Sequence, residues 1–464
     1  MRAFRHVGYD NADQLTAAIL KATVPPGQVL KRYYYSYDPA GNRTAEQIDD
    51  AVTGASYDNM NQLVSQQAGG ALVFKGTVSE PANVTIGGKP ATVTPDNRFE
   101  GQAVVPGGTG QVAVTATDPS GNVRTSTYQV SQGASSKSFT YDLNGNLTSD
   151  GSQTYTWDAE DRLVAVSQGG SALASFTYDG GGRRATKAAS GVTTTYVYDS
   201  RQFLEERSSA GLTKRYVYGP SIDQPLGQIA DGMTTYNVAD HLGSVVRTVD
   251  SSGSPTLTRE YDPWGNPLQG SATSGYAFTG REWDAETGLY YYRARYYQPR
   301  AASFIGEDPS GESSATRRYS YADGNPISLA DPLGLFTIET ADPEHMSQDI
   351  WNGVFSSTLR ACSRLDSTIT DPKLRACLKK SCERGTIQLL CHCRPCELGM
   401  EDISLNFIVP WTIRTAKLCA NNWKYLAKAP PGDVAIHEWA HGCGWGHYDG
   451  RGVPGDPEFK VPCP

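Results

Sequence analysis

Three histidines and one glutamate near the end of the chain have a spacing that suits a metal ion. His437, His441 and His447 fall within eleven residues, and Glu438 directly follows the first of them. Two histidines four residues apart face the same side of a helix, so both imidazoles can bind one zinc ion. Zinc lowers the pKa of a bound water and polarises a carbonyl, and Glu438 is suited to accept the water's proton. The spacing predicts a zinc site with hydrolytic chemistry.

A helix and a turn must position these side chains. Asp433 follows Pro-Pro-Gly and is suited to cap the start of the helix. Gly442 and Gly444 allow the chain to stop and turn, which would bring His447 back as the third ligand. Two alternatives remain open on the residues alone: a metal site in which Glu438 has no role, and a surface or core helix that holds no metal.

The pattern His-Glu-x-x-His-x-x-Gly-x-x-His resembles the zinc-binding helix of the metzincin metallopeptidases over these eleven residues. The resemblance implies that the three histidines are zinc ligands and that Glu438 is the general base. Metzincins continue to a turn with a methionine beneath the metal, but the last methionine of this chain is Met400, upstream of the motif. We therefore expect a zincin-like domain with a short end, in which Asp449 is the second candidate for the third ligand.

The cysteines mark the last part of the chain as a separate module. All nine lie between Cys362 and Cys463. Cys391, Cys393 and Cys396 form a Cys-x-Cys-x-x-Cys core that could hold a second, structural zinc. Disulfides formed after export are the favoured alternative, because a small domain with little core gains most from cross-links.

The first two-thirds of the chain repeats one short unit. An aromatic residue is followed by aspartate, then by a turn rich in Gly and Asn, as in "YSYDPAGNRT", "FTYDLNGNLT" and "REYDPWGNPL". Alternating Tyr, Thr and Val predict a strand, and the Asp-x-x-Gly-Asn that follows predicts a turn. A unit of strand, turn and strand cannot bury its aromatic face alone, so the units must pack on their neighbours.

These repeats resemble the YD-repeat, or Rhs, family over roughly residues 30–335. The ordered motifs "DHLGSVVRTVD", "GYAFTGREWDAETGLYYYRARYYQPRAASFIGEDP" and "YSYADGNPISLADPLGL" are similar to the Rhs-associated core domain. The resemblance implies a hollow β-shell that ends in the core domain, with a variable toxin domain beginning after the Asp-Pro-x-Gly-Leu motif. It also implies self-cleavage by core aspartates at the bond that follows Leu335. The matching positions are Asp308 and Asp331, with Asp323 a weaker candidate, while on the residues alone these Asp-Pro sequences simply predict turns.

One stretch, about 76–130, interrupts the repeats with regularly spaced alternating segments and Gly/Pro turns. It predicts a small immunoglobulin-like β-sandwich with a structural or adhesive role. The expected fold is a mostly β YD-repeat shell segment with this inserted sandwich, followed by a small cysteine-rich α+β zincin-like domain. The expected boundaries are 1–71 and 133–274 for the repeats, 72–132 for the sandwich, 275–335 for the core domain and 336–464 for the toxin domain.

Charge and hydropathy limit the partners that the sequence predicts. The net charge is −8, and the part after Leu335 carries 14 Lys and Arg against 15 Asp and Glu with no basic cluster. On this basis we expect no nucleic-acid partner. No segment is long and apolar enough to span a bilayer, and the N-terminus resembles no signal peptide. We expect a secreted or cell-surface effector exported without a visible signal peptide.

These observations predict the C-terminal part of an Rhs-type polymorphic toxin whose released tail is a zinc metallopeptidase. Its expected partners are a protein substrate in a target cell and a cognate immunity protein. One alternative is a cell-surface YD-repeat adhesin with a non-catalytic, cysteine-rich cap. A further alternative is an Rhs toxin with another hydrolytic activity, that of a nuclease.

Overall fold

Short antiparallel β-strands joined by tight turns make up almost all of the described chain. The computed structural model describes residues 2–22, 27–199, 202–219, 224–308, 318–331 and 334, and four further strands between residues 338 and 419. Within these residues the mostly β architecture expected of a repeat shell is confirmed. Two compact units divide the chain: Met1–Thr154 with Ser314–Ser320, and Tyr155–Ser313 with Tyr321–Pro464.

The first sixteen strands are, in chain order, β1 (Arg2–Tyr9), β2 (Leu15–Ala22), β3 (Val29–Tyr37), β4 (Arg43–Ile48), β5 (Ala51–Tyr57), β6 (Leu63–Ala68), β7 (Gly70–Thr77), β8 (Asn83–Ile86), β9 (Lys89–Pro90), β10 (Thr92–Val93), β11 (Arg98–Val105), β12 (Thr109–Thr117), β13 (Val123–Ser131), β14 (Ser136–Ser138), β15 (Thr140–Tyr141) and β16 (Leu147–Ser149).

The later strands are β17 (Gln153–Trp157), β18 (Leu163–Gln168), β19 (Ser171–Tyr178), β20 (Arg184–Ala189), β21 (Val192–Asp199), β22 (Gln202–Ser208), β23 (Thr213–Tyr218), β24 (Pro225–Ala230), β25 (Met233–Ala239), β26 (Val245–Val249), β27 (Pro255–Thr258), β28 (Glu260–Tyr261), β29 (Pro267–Gln269), β30 (Gly275–Tyr276), β31 (Glu282–Asp284), β32 (Leu289–Tyr292), β33 (Arg295–Gln298), β34 (Ser303–Phe304), β35 (Leu329–Ala330), β36 (Ile338–Thr340), β37 (Thr386–Leu390), β38 (Gly399–Asp402) and β39 (Thr415–Cys419). Two 3₁₀ turns span Phe278–Gly280 and Ala322–Gly324.

The first unit contains a repeat sheet and an insert. Strands β1 to β6 pair in sequence, and β14 pairs with β6, so the chain leaves this sheet after β6 and returns at β14. In between, β7, β10 and β11 form one sheet and β8, β9, β12 and β13 form a second. The two sheets share an apolar cluster that includes Leu72, Ile86, Val105 and Val114. The immunoglobulin-like identity of this insert and the domain boundaries stay predictions.

The second unit contains the longest run of paired strands, in which β17 to β27 follow one another. Strands β30 to β34 form a separate five-stranded sheet, called here the core sheet, in which nearly every side chain is buried. A third sheet joins β35 to β39, with β37 parallel to both β36 and β39. The predicted α+β zincin-like fold of the last part of the chain stays a prediction.

The repeated aspartate organises each turn through its carboxylate. Asp142 Oδ1 accepts hydrogen bonds from the backbone N–H groups of Asn144 at 2.9 Å and Asn146 at 2.8 Å. Its Oδ2 accepts a third bond from the Asn146 side chain at 3.1 Å. The same pattern recurs at Asp38 and Asp262 with Asn at the fourth following position. These contacts are the reason that the repeat requires Asp, because only a short acceptor reaches both backbone donors.

The repeated tyrosine ties each unit to the one before it. The hydroxyl of Tyr261 donates to the backbone carbonyl of Val245 at 2.9 Å, and five further tyrosines make the same contact one unit apart. These pairs are Tyr37 with Leu15, Tyr57 with Arg43, Tyr178 with Leu163, Tyr198 with Arg184, and Tyr218 with Phe203. Each tyrosine therefore partly buries its ring and satisfies its hydroxyl on the neighbouring strand.

A buried ion cluster joins the repeat strands of the second unit to the core sheet. Arg184 at the start of β20 and Asp284 at the end of β31 are each 1% exposed, and their charged groups lie 2.5 Å apart. Lys187 contacts the other oxygen of Asp284 at 2.7 Å. Burial by itself would raise the pKa of Asp284, but Arg184 and Lys187 hold it below its usual value. The guanidinium also lies 4.4 Å from the centre of the Tyr291 ring.

We expect Tyr261→Phe to lower the free energy of unfolding by about 1 kcal/mol, because the carbonyl of Val245 loses its donor. Urea unfolding followed by circular dichroism measures the change. Tyr128→Phe is the matched control, because Tyr128 is 52% exposed. Equal midpoints for the two variants would show that the tyrosine contact between units adds no stability.

We expect Asp284→Asn to lower the free energy of unfolding by about 3 to 5 kcal/mol, because it leaves the buried Arg184 without its carboxylate and Lys187 with Glu286 alone. The same urea experiment measures it. Asp96→Asn is the control, since Asp96 also pairs with an arginine but on the surface, where both side chains are more than half exposed. We expect no measurable change in the control, and a similarly small loss for Asp284→Asn would contradict a structural role for the cluster.

Candidate functional site

Three of the sequence-predicted candidates are described, Asp308, Asp331 and the weaker candidate Asp323, and the first two are buried. Asp308 is 8% exposed and Asp331 is 3% exposed. The zinc-motif residues His437, Glu438, His441 and His447 and the boundary residue Leu335 lie outside the described residues. Among the residues that the structure describes, no group of three or more His, Cys, Asp and Glu side chains is placed to hold a metal ion.

Short elements of the core sheet and its neighbours position the two aspartates. Asp308 follows β34, and Asp331 directly follows β35. The weaker candidate, Asp323, lies in the 3₁₀ turn Ala322–Gly324 with a positive φ of 50°. The two buried aspartates are 23 positions apart in the chain, so their proximity depends on how these strands pack.

An arginine that the sequence analysis did not single out brings the two aspartates together. Arg295 begins β33, is 6% exposed, and its Nη2 lies 3.4 Å from Oδ2 of Asp308 and 3.4 Å from Oδ2 of Asp331. Its Nε donates to the backbone carbonyl of Gly334 at 2.6 Å. One guanidinium therefore contacts both carboxylates and the chain segment next to Leu335.

Gly334 meets a steric requirement at this point. Its φ is +70°, a conformation that side chains rarely adopt, and a Cβ atom there would lie 2.8 Å from the backbone oxygen of Tyr292. The close approach of Gly334 to the β32–β33 hairpin is what lets Arg295 reach its carbonyl. The glycine of the Asp-Pro-x-Gly-Leu motif thus has a defined role in presenting this segment.

Aromatic rings lie beside Arg295 and Asp331. The Arg295 guanidinium lies 3.7 Å from the centre of the Phe304 ring. Tyr297 and Tyr321 pack with ring centres 4.4 Å apart, and Tyr292 packs 5.4 Å from Tyr321. These rings exclude water from one side of the cluster, so the charges interact through a medium of low dielectric constant.

A chain of hydroxyl groups approaches Asp331. Thr279 Oγ1 lies 2.5 Å from the Tyr292 hydroxyl, which donates to the Tyr321 hydroxyl at 3.1 Å. Burial raises the pKa of Tyr321, and the negative charge of Asp331 contributes to the same rise. Both phenols therefore stay protonated at neutral pH. Thr279 has a φ of 48°, which is unusual for a β-branched residue and indicates local strain beside this network.

This arrangement supplies the residue types that acid–base chemistry needs. It places two buried carboxylates on one arginine, and a pair of carboxyl groups is the kind of site in which one group accepts a proton while the other donates one. No such pairing could be derived from the local sequence, since Arg295 lies in "YYRARYY", which reads only as an alternating strand. The one available signal in the sequence is an arginine beside tyrosines in a strand whose aromatic residues are expected to be buried.

Among the described residues, no helix is long and apolar enough to cross a membrane.

The family model for the Teneurin YD-shell matches residues 126–343. That range includes the strands from β14 to the core sheet and both buried aspartates.

Curated relatives share the sequence over part of their length. The tRNA3(Ser)-specific nuclease WapA of Bacillus spizizenii is 39% identical over 212 residues, which is 43% of this chain and 9% of that protein. The double-stranded DNA deaminase toxin A of Burkholderia cenocepacia is 27% identical over 242 residues, 42% of this chain and 17% of that protein. The chain thus spans less than a fifth of each. A crystal structure of TcdB2-TccC3-Cdc42 aligns with 72% of this chain, at 19% sequence identity and a TM-score of 0.37. The aligned part is 18% of the chain in that structure.

These relatives overturn one expectation from the sequence. The exclusion of a nucleic-acid partner is wrong, because relatives with substantial identity are named as tRNA nucleases. The physical reason is that net charge averages over a whole segment, whereas a nucleic-acid site needs only a local arrangement of cations. A nearly neutral tail is compatible with such a site.

The repeat-shell part of the resemblance rests on consistent observations. The Tyr–Asp units form paired strands, each tied to the one before, and they lead into a buried core sheet. The family model covers the same region. Residues 126–343 are therefore similar to the YD-shell family in both sequence and strand pattern.

Proposed function

We propose that the chain is part of an Rhs-type toxin whose shell cuts its own chain after Leu335 and releases an enzymatic tail. The observation that carries this proposal is the buried group of Asp308, Asp331 and Arg295, which holds the carbonyl of Gly334. Gly334 is the residue directly before Leu335. If the two buried carboxylates lay beside an unrelated loop, they would have no obvious use. Because they lie against the segment that precedes the boundary, cleavage at the boundary gives them one.

The cleavage is hydrolysis of the Leu335–Phe336 peptide bond. One carboxylate of the pair accepts a proton from a water molecule, whose oxygen adds to the carbonyl carbon of Leu335. The other carboxyl group first donates its proton to the carbonyl oxygen, and a proton then passes to the nitrogen of Phe336 as the bond breaks. The hydroxyl formed on the carbonyl oxygen returns its proton to the carboxylate that gave it, and the base passes the water's proton to the nitrogen. The remaining acidic proton of the new carboxyl group also ends on the nitrogen, so the products are a carboxylate on Leu335 and an ammonium group on Phe336, with the aspartates in their starting protonation.

The second part of the proposal concerns the substrate of the released tail, for which there are two candidates. The WapA and deaminase relatives support a nucleic acid better than a protein, which favours the nuclease alternative. The motif of His437, Glu438, His441 and His447 supports the second candidate, a zinc metallopeptidase. A bound zinc would supply an activated water, and these histidines would hold it, with Glu438 as the base. A nuclease can use the same chemistry on a phosphodiester.

Delivery to a target cell and an immunity protein follow from the proposal that the chain is part of a toxin. An enzyme of this kind acts in a target cell, so the protein would be a secreted or surface-delivered effector with a cognate immunity protein in the producing cell. The adhesin alternative receives less support, because the WapA proteins and the deaminase toxin carry the names of enzymes. The insert remains a candidate for an adhesive role within the toxin.

We expect Asp308→Asn and Asp331→Asn to abolish self-cleavage, because an amide replaces a carboxyl group that must exchange protons. Expression of the full chain followed by intact mass and N-terminal sequencing should give a fragment that begins at Phe336 in the parent and an uncut chain in both variants. Asp323→Asn is the control and should be cut as the parent is. A fragment that begins elsewhere would contradict the boundary, and cleavage in either variant would contradict the aspartate pair.

We expect Glu438→Gln to abolish the toxin activity of the full chain without removing its zinc, because the amide cannot accept a proton. Parent and variant are incubated with tRNA and with an unfolded protein, and the metal content of both is measured. His441→Gln should lose zinc, whereas His345→Gln, outside the motif, should keep it. Loss of tRNA cleavage alone identifies a nuclease and loss of proteolysis a peptidase. A parent that binds no zinc would contradict both candidates as metal-dependent enzymes.

A further inference from the structure

One long strand edge of the insert is unpaired within the described part of the chain. Strand β13 has nine residues and lies at the end of its four-stranded sheet, where β12 is its one partner among the described strands. The two strands pair from Thr109 with Ser131 to Thr117 with Val123 without a register shift. A long, regular edge of this kind presents a row of backbone groups to which another strand can bond.

The other edges of the insert are short or covered. Strands β9 and β10 have two residues each, and β9 ends in Pro90. At the edge formed by β7, the side chain of Gln47 from the repeat sheet accepts a hydrogen bond from the backbone N–H of Val73 at 2.7 Å. Short strands, prolines and covering groups keep an edge from pairing with another chain. Strand β13 contains no proline, and its one charged residue is Arg124.

Alternate backbone groups of β13 point away from β12. At the two ends of the strand pair, Asn122 accepts a hydrogen bond from Asp118 at 3.1 Å and Gln132 donates one to Gly108 at 2.7 Å. In an antiparallel pair, residues that bond the partner strand alternate with residues that face the other way. The backbone N–H and C=O groups of the five odd-numbered residues in Val123–Ser131 therefore face outward along the edge.

We propose that β13 pairs edge to edge with β13 of a second copy of this chain, which joins two four-stranded sheets into one. A two-fold axis at Thr127 makes the two strands antiparallel and pairs all nine residues, with Thr127 facing Thr127. Outward residues then meet outward residues, because Thr125 faces Gln129 and Val123 faces Ser131. All the outward N–H and C=O groups gain partners in this register. The pairing is independent of the proposed self-cleavage.

The side chains of β13 fit this register. Arg124 faces Val130 of the second copy, and the two arginines lie six positions apart along the strands, about 20 Å, so their repulsion is screened. Tyr128 lies on the same side of the sheet as its pairing partner Val112, which is buried, yet Tyr128 is 52% exposed. Strand β13 thus extends beyond the strands that cover the core. In the pair, the Tyr128 ring faces Ser126 of the second copy and gains neighbours there.

The test measures the mass of the expressed chain by sedimentation equilibrium at concentrations from about 1 to 100 µM. The insert precedes Leu335, so the result does not depend on whether the chain cuts itself. We expect the parent to dimerise and Thr127→Pro to weaken the dimer about thirtyfold or more, because two backbone bonds across the axis are lost. Proline is compatible with the monomer, since the N–H of Thr127 faces away from β12. Thr127→Val keeps the N–H and should dimerise like the parent.

A charge swap tests the position of the axis. Thr127→Lys and Thr127→Glu should each self-associate several-fold more weakly than the parent, because like charges then face each other across the axis. An equal mixture of the two should associate more strongly than either variant alone. Ala113→Lys is the control, because Ala113 is exposed and pairs with Thr127 from β12, one strand away from the edge. It should dimerise like the parent.

Each contrary result would overturn the proposal. A parent that stays monomeric over this range would do so, and would leave the edge to an extended segment of a different protein. A dimer of unchanged strength in Thr127→Pro would place the contact elsewhere. If Thr127→Pro does not fold, as shown by circular dichroism, the charge swap decides: self-association of Thr127→Lys equal to that of Ala113→Lys would contradict the edge pairing.

Discussion

When the ring of the repeated tyrosine packs between strands, its hydroxyl needs a hydrogen-bond acceptor. The pairing of successive repeats depends on which group accepts that bond. In six units the acceptor is a backbone carbonyl near the start of the strand one unit earlier. The aspartate that follows the tyrosine then closes the turn by accepting from two backbone N–H groups. The Tyr-Asp pair thus links one unit backward and turns the chain forward, which is why the two residues recur together.

In the second unit, aromatic side chains pack against two buried arginines that have different partners. Arg184 lies among Phe176, Tyr196 and Tyr291 and pairs with a single buried carboxylate at hydrogen-bond distance. Arg295 lies on Phe304 but faces two carboxylates, each at a longer distance, and donates its short bond to a backbone carbonyl. A carboxylate held at hydrogen-bond distance by two cations suits a structural joint. Two carboxylates that face one arginine at longer distances are the arrangement on which the proposed self-cleavage rests.

The sequence predicted the parts of this molecule that are local and failed on those that are not. The strand and turn of each repeat follow from Tyr-Asp and Gly-Asn, since both depend on residues within one unit. The aspartates came only from the family resemblance, because Asp308 and Asp331 carry ordinary turn chemistry in their own surroundings. Arg295 was missed because its contacts are made by segments that are distant in sequence. The exclusion of nucleic acid failed because composition does not report local electrostatics.

The position of the proposed cleavage group within the chain bears on how one shell can serve different tails. Asp308, Asp331, Arg295 and Gly334 all precede Leu335, so every described contact of the group is made by residues of the shell. The backbone beside the group does contact a segment that follows the boundary, because Ala330, directly before Asp331, pairs with Ile338 of β36. If the proposed self-cleavage is correct, a tail that keeps this first strand could be exchanged while the described side-chain contacts of the group stay the same. Such an exchange would be consistent with relatives that are similar to this chain over part of its length and yet are named as a tRNA nuclease and a DNA deaminase.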